Sequence, residues 1–281
     1  MSFVLTQDLS HPRAELLLSQ ALRSPQRLDL AALAIAALEY PALDPAASQA
    51  KLDFLGARVR VLHRGTGGPE EQLRALRSVL IDEEQFRGNE ANYSDPENSF
   101  LNVVLARKLG IPISLSVVWL EVARRAQISL YGVGFPGHFL VALDAAEGRI
   151  VVDPFSGGRS LTSDECLAIL RRHSPEATVS EASFKPVPVR AITWRMLLNL
   201  KRVYLQRADQ ARAVKIEDLL LQLAPNHPGE LRTRAALLSS LGAYKAALKD
   251  LERAMEIGPS PDSAALVEAA KLLRQRLQYL N

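Results

Sequence analysis

The chain has 281 residues, of which 48% are hydrophobic and 23% are charged, and its formal net charge is +3. This length is sufficient for two ordinary domains, and the composition is that of a folded protein rather than a disordered one. A charge of +3 is too weak to indicate nucleic-acid binding, so we predict no nucleic-acid partner. The single cysteine, Cys166, excludes an internal disulfide and a cysteine-based zinc site, and it fits a reducing cytoplasm.

The first residues and the apolar stretches predict a cytoplasmic protein without a membrane segment. Residues 1–8 lack the basic and apolar regions of a secretion signal. The two most apolar stretches, residues 28–38 and 113–123, are too short to span a bilayer and contain or adjoin acidic residues. We therefore interpret both stretches as parts of a protein core.

Residues 1–83 carry the three- and four-residue apolar spacing of amphipathic helices. The pattern predicts four helices, over residues 14–22, 28–38, 47–62 and 71–80. A fifth helix is predicted to start at Asp95, because an aspartate cap, Pro96 in the first turn and Glu97 near the positive end of the dipole are helix-start signals. Gly110 is predicted to end this helix.

The middle of the chain changes to β-prone segments. Residues 113–126 fit either a helix or a strand that runs into one. Strands are then predicted at residues 130–133, 138–143 and 149–152, and residues 156–160 are interpreted as a tight turn. A capping signal at residues 162–165 predicts a helix that carries Cys166. The proline-rich residues 174–189 are typical of a linker.

From residue 190 onward, every segment has a helical pattern. Pro225 and Pro259 lie 34 residues apart, and at the same spacing Ala208 matches Gly242. This period resembles that of tetratricopeptide repeats, in which stacked helix pairs form a block that binds protein or peptide partners. Five helices are predicted here, over residues 196–206, 211–223, 230–241, 244–257 and 264–279.

His138 and Asp153 form the most informative pair in the chain. Each lies on a predicted strand, and a turn-like segment at residues 144–148 separates the strands. Antiparallel pairing would place the histidine beside the carboxylate, which is the orienting half of a catalytic triad. The alternative is that Asp153 only starts a turn before Pro154, since Asp-Pro is a common turn start.

The nucleophile that such a triad needs is difficult to find. Cys166 lies in the middle of a predicted helix among apolar residues, so we interpret it as a small buried side chain. Ser99 lies at a predicted helix start, where free N–H groups would stabilise an oxyanion, and it is the candidate nucleophile. The alternative is that Asn98 and Ser99 hydrogen-bond the helix start. Asn98 and Asn102 are four residues apart and are predicted to point inward as polar binding residues.

These segments resemble a known family. Residues 92–101, 107–115, 133–140 and 152–158 are similar to the transglutaminase-like domain of the SirB-type bacterial regulator family, and a related domain occurs in an F-box protein of animals. The resemblance implies a papain-like core with a cysteine at a helix start and with histidine and aspartate on adjacent strands. His138 and Asp153 match this histidine and this aspartate, whereas no cysteine lies at the helix start, residues 95–99. Members commonly carry tetratricopeptide-like helices.

Together, these observations predict an α+β protein of two domains. Residues 1–185 would form a papain/transglutaminase-like core with a helical N-terminal extension, and residues 190–281 an all-α tetratricopeptide-like block. We expect a cysteine-less transglutaminase-like protein that binds a polypeptide or small ligand and docks a protein partner through its helices, without metal or cofactor. The alternative is a hydrolase or acyltransferase that uses Ser99, His138 and Asp153. A third hypothesis, that the protein regulates transcription through partner proteins, follows from the resemblance alone.

Overall fold

A computed structural model describes residues 11–24, 26–63, 67–172, 174–258 and 263–280. The described residues divide into two compact units, one from Leu17 to Met196 and the other formed by the described residues before Leu17 and after Met196. The sequence had assigned the residues before Leu17 to the first domain, and the boundaries 1–185 and 190–281 stay predictions.

The N-terminal helices follow the predicted spacing. Asp44 caps the third of them by accepting a hydrogen bond from the backbone N–H of Ala46. The second helix is buried along almost its whole length, as its continuous apolar run requires. The fourth continues into a wider π-helical turn, Ser78–Glu83. The four helices are α1, Pro12–Arg23; α2, Leu28–Ala37; α3, Pro45–Leu62; and α4, Pro69–Arg77.

The helix predicted from Asp95 to Gly110 is interrupted. Asp95 caps the start as predicted, but the first turn is a 3₁₀ helix, Pro96–Ser99, and the α-helix α5 spans only Leu101–Arg107. Between them the backbone of Phe100 is extended, and its buried ring packs edge-on against Tyr40. The helix also ends earlier than predicted, because Lys108 adopts a left-handed backbone.

The ambiguous segment after Gly110 is a helix, α6, Pro112–Arg125. It is buried on nearly all sides and packs against both α3 and the main sheet. Two very short parallel strands precede it, β1 at Arg87–Gly88 and β2 at Leu109–Gly110. Burial on all sides explains why the sequence of α6 shows no clear helical periodicity.

The main sheet is an antiparallel meander of four strands in the order β3-β4-β5-β6. Three of these strands were predicted, and the fourth lies at the end of the predicted tight turn. Two-residue turns join β3 to β4 and β4 to β5, so the strands form consecutive hairpins. The strands are β3, Tyr131–Phe135; β4, His138–Ala145; β5, Gly148–Asp153; and β6, Arg159–Leu161.

One face of this sheet is covered by α7, Ser163–Arg171, and by the segment that follows it. Thr162 and Glu165 form the predicted capping box at the start of α7. The predicted linker is partly structured, since a 3₁₀ turn, Glu181–Phe184, places the buried ring of Phe184 5.7 Å from that of Phe135. Apolar burial against the sheet therefore outweighs the proline-rich composition of this segment.

The C-terminal helices confirm the 34-residue repeat. The ninth and eleventh helices start and end 34 residues apart, and both Ala208 and Gly242 adopt a left-handed backbone just before them. Pro259, which supported the period, lies outside the described residues. The helices are α8, Val189–Gln206; α9, Gln210–Leu223; α10, Pro228–Ser240; α11, Tyr244–Ile257; and α12, Ser263–Leu280. α10 packs against α9 and α11, and α11 packs against α12.

Candidate functional site around His138

The β4–β5 hairpin places His138 beside Asp153. Val141 pairs with Val152 in this hairpin, so Asp153 lies opposite Leu140 and diagonally across from His138 on the same face. The Nε2 atom of His138 is 3.0 Å from Oδ2 of Asp153. The structure therefore brings together the histidine and the carboxylate that the sequence singled out.

Asp153 is held by two further hydrogen bonds. The backbone N–H of Phe155 donates to Oδ1 at 3.0 Å, and the hydroxyl of Ser156 donates to Oδ2 at 2.8 Å. Burial of this side chain favours its neutral form, but the hydrogen bond and charge of His138 outweigh burial and hold the pKa of Asp153 below its usual value. Asp153 thus both orients the histidine and caps the turn at Pro154, so the two sequence interpretations are compatible.

His138 is the accessible member of the pair, with 18% of its side chain exposed against 4% for Asp153. An ionised Asp153 can only accept a hydrogen bond, so Nε2 carries a proton in both forms of the ring, and in the neutral form Nδ1 has the free lone pair. Among the described residues, no group hydrogen-bonds to Nδ1. This nitrogen is therefore available to accept a proton or a hydrogen bond from a ligand.

Two aromatic side chains complete the surroundings of His138. The ring of Phe155 meets the imidazole edge-on, with centroids 6.2 Å apart, and the ring of Tyr93 meets Phe155 at 6.0 Å. Gly88 allows this arrangement, because a Cβ atom there would lie 2.6 Å from the Phe155 ring. We call His138, Asp153, Phe155 and Tyr93 the dyad site. Both aromatic residues lie in segments that resemble the family, but nothing local in the sequence assigned either of them to the site, since each stands alone in a loop.

Asn98 fixes the loop that carries Tyr93. Its Oδ1 accepts a hydrogen bond from Asn89 at 2.9 Å, and its Nδ2 donates to the backbone carbonyls of Asn92 at 2.8 Å and Tyr93 at 3.3 Å. The side chain is only 1% exposed. These contacts are internal, so Asn98 supports the dyad site by holding the loop in place.

The other two predicted site residues of this segment have different surroundings. Ser99 is buried, and within the described part of the chain no hydrogen bond joins it to His138. Asn102 is partly buried, and its Oδ1 has no hydrogen-bond partner among the described residues. A buried acceptor without a donor is uncommon, but it does not by itself place Asn102 in the dyad site.

Cys166 belongs to the apolar core beneath the sheet. It is 1% exposed and packs in a cluster with Leu140, Ala142 and Ile169. Burial raises the pKa of its thiol to about 11, and the charge of Glu165 adds to the shift. A thiol in this state is neither nucleophilic nor accessible at neutral pH, as the sequence interpretation expected.

The turn after Asp153 is anchored to α6. Gly158 has a left-handed backbone (φ +66°), and its N–H donates to the carbonyl of Asp153 at 2.9 Å. A Cβ atom at Gly158 would lie 2.6 Å from the indole of Trp119. Glycine is therefore required here for both conformation and space, and the contact fixes the turn that holds the Asp153 carboxylate.

Arg195, near the start of α8, binds the backbone that carries His138. Its Nη2 atom donates to the carbonyls of Phe135 and His138, which flank the turn between β3 and β4. Its guanidinium also lies over the ring of Phe139, 5.3 Å from the centroid. Sequence reasoning missed this residue, because a single arginine on an amphipathic helix resembles an ordinary surface cation.

The described part of the chain contains neither a cluster of metal-binding side chains nor a membrane-spanning helix. No group of three or more His, Cys, Asp or Glu side chains there could hold a metal ion. No helix in those ranges is long and apolar enough to cross a membrane.

Comparison with known proteins assigns families to the two parts of the chain. A family model described as the transglutaminase-like superfamily matches residues 46–198, and a tetratricopeptide repeat model matches residues 200–274. A UPF0162 protein of Xylella fastidiosa is 37% identical over 257 residues, covering 88% of this chain and 90% of the relative. The murine F-box only protein 21 is 34% identical over 61% of this chain but only 28% of its own length.

Protein SirB1 of Salmonella typhimurium is 25% identical over 71% of this chain and 75% of its own length. No solved structure matches the chain. The transglutaminase-like model covers the sheet that carries His138 and Asp153, and the tetratricopeptide model covers the C-terminal helices. The similarity to the UPF0162 protein extends over most of both regions. The chain therefore belongs to the transglutaminase-like superfamily, in the SirB-type family that includes the UPF0162 proteins, and it carries tetratricopeptide repeats.

Proposed function

We propose that this protein is a non-covalent binding module that holds a polypeptide segment at the dyad site. The observation that carries the proposal is the lack of a nucleophile: no described side chain that could attack a substrate hydrogen-bonds to His138. The residues at the helix start, where the superfamily resemblance implies a cysteine, are Asn98, which is used in internal hydrogen bonds, and Ser99. The only thiol is buried in the core.

The remaining groups are suited to recognition. His138 offers one nitrogen to a ligand, and Tyr93 and Phe155 offer aromatic surface beside it. Tyr93 is 41% exposed, so a ligand can reach it. Aromatic side chains with a few polar groups are typical of peptide-binding surfaces.

A second candidate function is a hydrolase or acyltransferase that uses Ser99, His138 and Asp153. The 3.0 Å contact between His138 and Asp153 favours it, because a buried carboxylate behind an accessible imidazole is what a general base requires. A serine would have to reach Nδ1 of His138 when substrate binds, since catalytic hydrogen bonds often tighten only in that complex.

One pair of measurements separates the two functions. Peptides selected from a displayed library against the full chain should lose affinity for His138→Ala and keep it for Glu147→Ala, a control at the exposed far end of the β4–β5 hairpin. Hydrolysis of p-nitrophenyl acetate should be no faster with the wild type than with His138→Ala. Ester turnover that both Ser99→Ala and His138→Ala abolish would instead establish the enzyme.

The C-terminal helices are proposed to dock a protein partner, as tetratricopeptide repeats generally do. In residues 197–257, the exposed large apolar side chains of the described structure are Leu205 and Leu241, which is too few for an apolar docking groove. A polar depression in this unit is lined by Glu15, Asp218 and Arg234, among others. These two observations favour a protein partner that binds through charged groups.

A further inference from the structure

Arg195 is a cation whose donors are only partly used. Arginine carries five N–H donors. The two described acceptors, the carbonyls of Phe135 and His138, both bind Nη2. The donors on Nη1 and Nε have no acceptor among the described residues. The side chain is partly buried, so these donors lose some of their hydration without a replacement.

Arg195 also differs from two other partly buried arginines, Arg125 and Arg234, in having no carboxylate partner. Arg125 is paired with Asp29, and Arg234 with Asp250, and in both cases the carboxylates raise the arginine pKa in spite of burial. Within the described ranges, no acidic side chain forms an ion pair with Arg195. Burial therefore lowers the pKa of Arg195, and the neighbouring Tyr93 opposes this shift only in part.

The unused donors are close to solvent and to the dyad site. A Cβ atom at Gly134 would lie 3.1 Å from Nη1, and Gly134 is itself exposed, as are Pro136 and Gly137 in the following turn. Val187 lies beside the same position, 3.3 Å from that Cβ. Nη1 therefore lies next to the exposed backbone of Gly134, and the bond from Nη2 to the carbonyl of His138 places the guanidinium at the strand end that carries the dyad. Tyr93, whose ring contacts Phe155, raises the pKa of Arg195 against the lowering effect of burial, which agrees with this placement.

We propose that Arg195 binds a carboxylate group of the polypeptide that occupies the dyad site. The Nη1 and Nε donors would hydrogen-bond to the carboxylate oxygens, while Nη2 keeps its bonds to the β3–β4 turn. The ligand would thereby supply the negative charge that the chain itself does not place beside this guanidinium. This inference rests on the proposed binding function and names the chemistry of the ligand, an acidic side chain or a C-terminal carboxylate.

The test uses a matched pair of probes on the full chain. N-acetyl-trialanine with a free carboxylate is compared with the same peptide as its C-terminal amide, and sodium acetate is titrated separately. Binding is followed by the NMR shifts of the His138 ring in isotopically labelled protein. We expect the carboxylate peptide to bind at least about tenfold more tightly than the amide, as expected for a hydrogen bond to a charged group.

Variants assign this difference to Arg195. Arg195→Gln should remove the preference for the carboxylate, whereas Arg190→Gln, an exposed arginine on the same helix, should keep it. Because Arg195→Gln could also loosen the β3–β4 turn, a second pair leaves the arginine in place. Gly134→Asp places a carboxylate beside Nη1 and should block the preference, while the neutral Gly134→Asn should retain it.

The outcomes are distinct. Equal binding of acid and amide peptides, with His138 shifts in both, overturns the role of Arg195 but leaves the binding module intact. Absence of His138 shifts with either peptide overturns both proposals. Retention of the preference in Gly134→Asp would likewise overturn the inference. Acetate that binds as tightly as the peptide would assign the site to free small carboxylates instead of a polypeptide.

Discussion

Asp153 receives hydrogen bonds from three groups, and each belongs either to its own turn or to the facing strand. These three hydrogen bonds stabilise the ionised carboxylate whether or not a ligand is bound. Its effect on His138 is therefore to fix the position of the ring and the nitrogen that carries the proton.

We expect Asp153→Asn to lower the free energy of unfolding by about 2 kcal/mol at neutral pH, since charge-assisted bonds to a buried carboxylate are lost. The folded pKa of Asp153 lies below its ordinary value of 3.8, so this stabilisation is complete above that pH and disappears as the pH falls through the folded value. Urea titrations at several pH values measure it. Asp144→Asn, on an exposed carboxylate of β4, should change stability far less.

Cys166 should not react with thiol reagents in the folded chain. Its thiol is buried and its pKa is about 11, so both access and thiolate are lacking at pH 8. Reaction with Ellman's reagent should therefore appear only on unfolding, whereas Ala146→Cys, in the exposed β4–β5 turn, should react in the native state. Rapid native reaction of Cys166 would contradict the assignment of this thiol to the core.

The sequence revealed part of this site and not the rest, for a physical reason. His138 and Asp153 could be paired because a hairpin converts a spacing along the chain into a contact. Phe155, Tyr93 and Arg195 reach the site from a turn, a loop and a distant helix, and no local periodicity links these positions. Their contacts depend on tertiary packing, which a single sequence does not display.

At the scale of elements, the 34-residue repeat provides the clearest test. Ala208 adopts the left-handed backbone that Gly242 adopts at the equivalent position, with φ values of 54° and 80°. An alanine in this region is strained, so Ala208→Gly should raise the free energy of unfolding by about 1 kcal/mol. Thermal denaturation measures the change, and Gly242→Ala should lower stability by a similar amount. A stabilising Gly242→Ala would contradict the equivalence of the two turns.

The turn that follows β5 gives a second test. Gly158→Ala would place a methyl group against the indole of Trp119 and require a left-handed alanine, so we expect a loss of about 3 kcal/mol. Gly157→Ala, also left-handed but with no atom near its Cβ position, isolates the conformational part, about 1 kcal/mol. Comparison of their urea midpoints separates crowding from backbone strain.

Helix and strand positions followed the sequence pattern wherever one face of the element is buried. The helices α9 to α12 and the strands β3, β4 and β5 appear close to the predicted residues, whereas α8 begins at Val189, seven residues before its predicted start. The sequence did not predict that the helix starting at Asp95 is interrupted at Phe100. The cap at Asp95 favours a continuous helix, and only the packing of Phe100 on Tyr40 breaks it. The 3₁₀ turn near Phe184 is likewise set by burial against the sheet.

At the scale of the whole molecule, stability should respond to pH through a buried acid in the helical unit. Glu217 is fully buried 3.1 Å from Lys201, which also pairs with Glu230. Burial raises the pKa of Glu217 to about 8, and the charge of Glu230 adds to this shift, whereas Lys201 opposes it.

A raised carboxyl pKa means that the folded chain binds a proton that the unfolded chain has lost. Stability should therefore fall as the pH rises from the ordinary value of 4.5 to about 8. In thermal melts, Glu217→Gln should remove this decline, while Glu252→Gln, on an exposed side chain of α11, should retain it. Parallel pH profiles of the wild type and Glu217→Gln would contradict the assignment.

The diagonal pairing across the β4–β5 hairpin also determines where the length of this chain can vary. Extra residues between Ala145 and Gly148 would lengthen the turn and leave the strand register unchanged, so a histidine and an aspartate more than 15 residues apart could still meet. A single insertion within either strand would instead turn one of the two side chains to the opposite face. Insertions and deletions among relatives should therefore concentrate at the tip of this hairpin, and a search for the dyad should allow a variable spacing there.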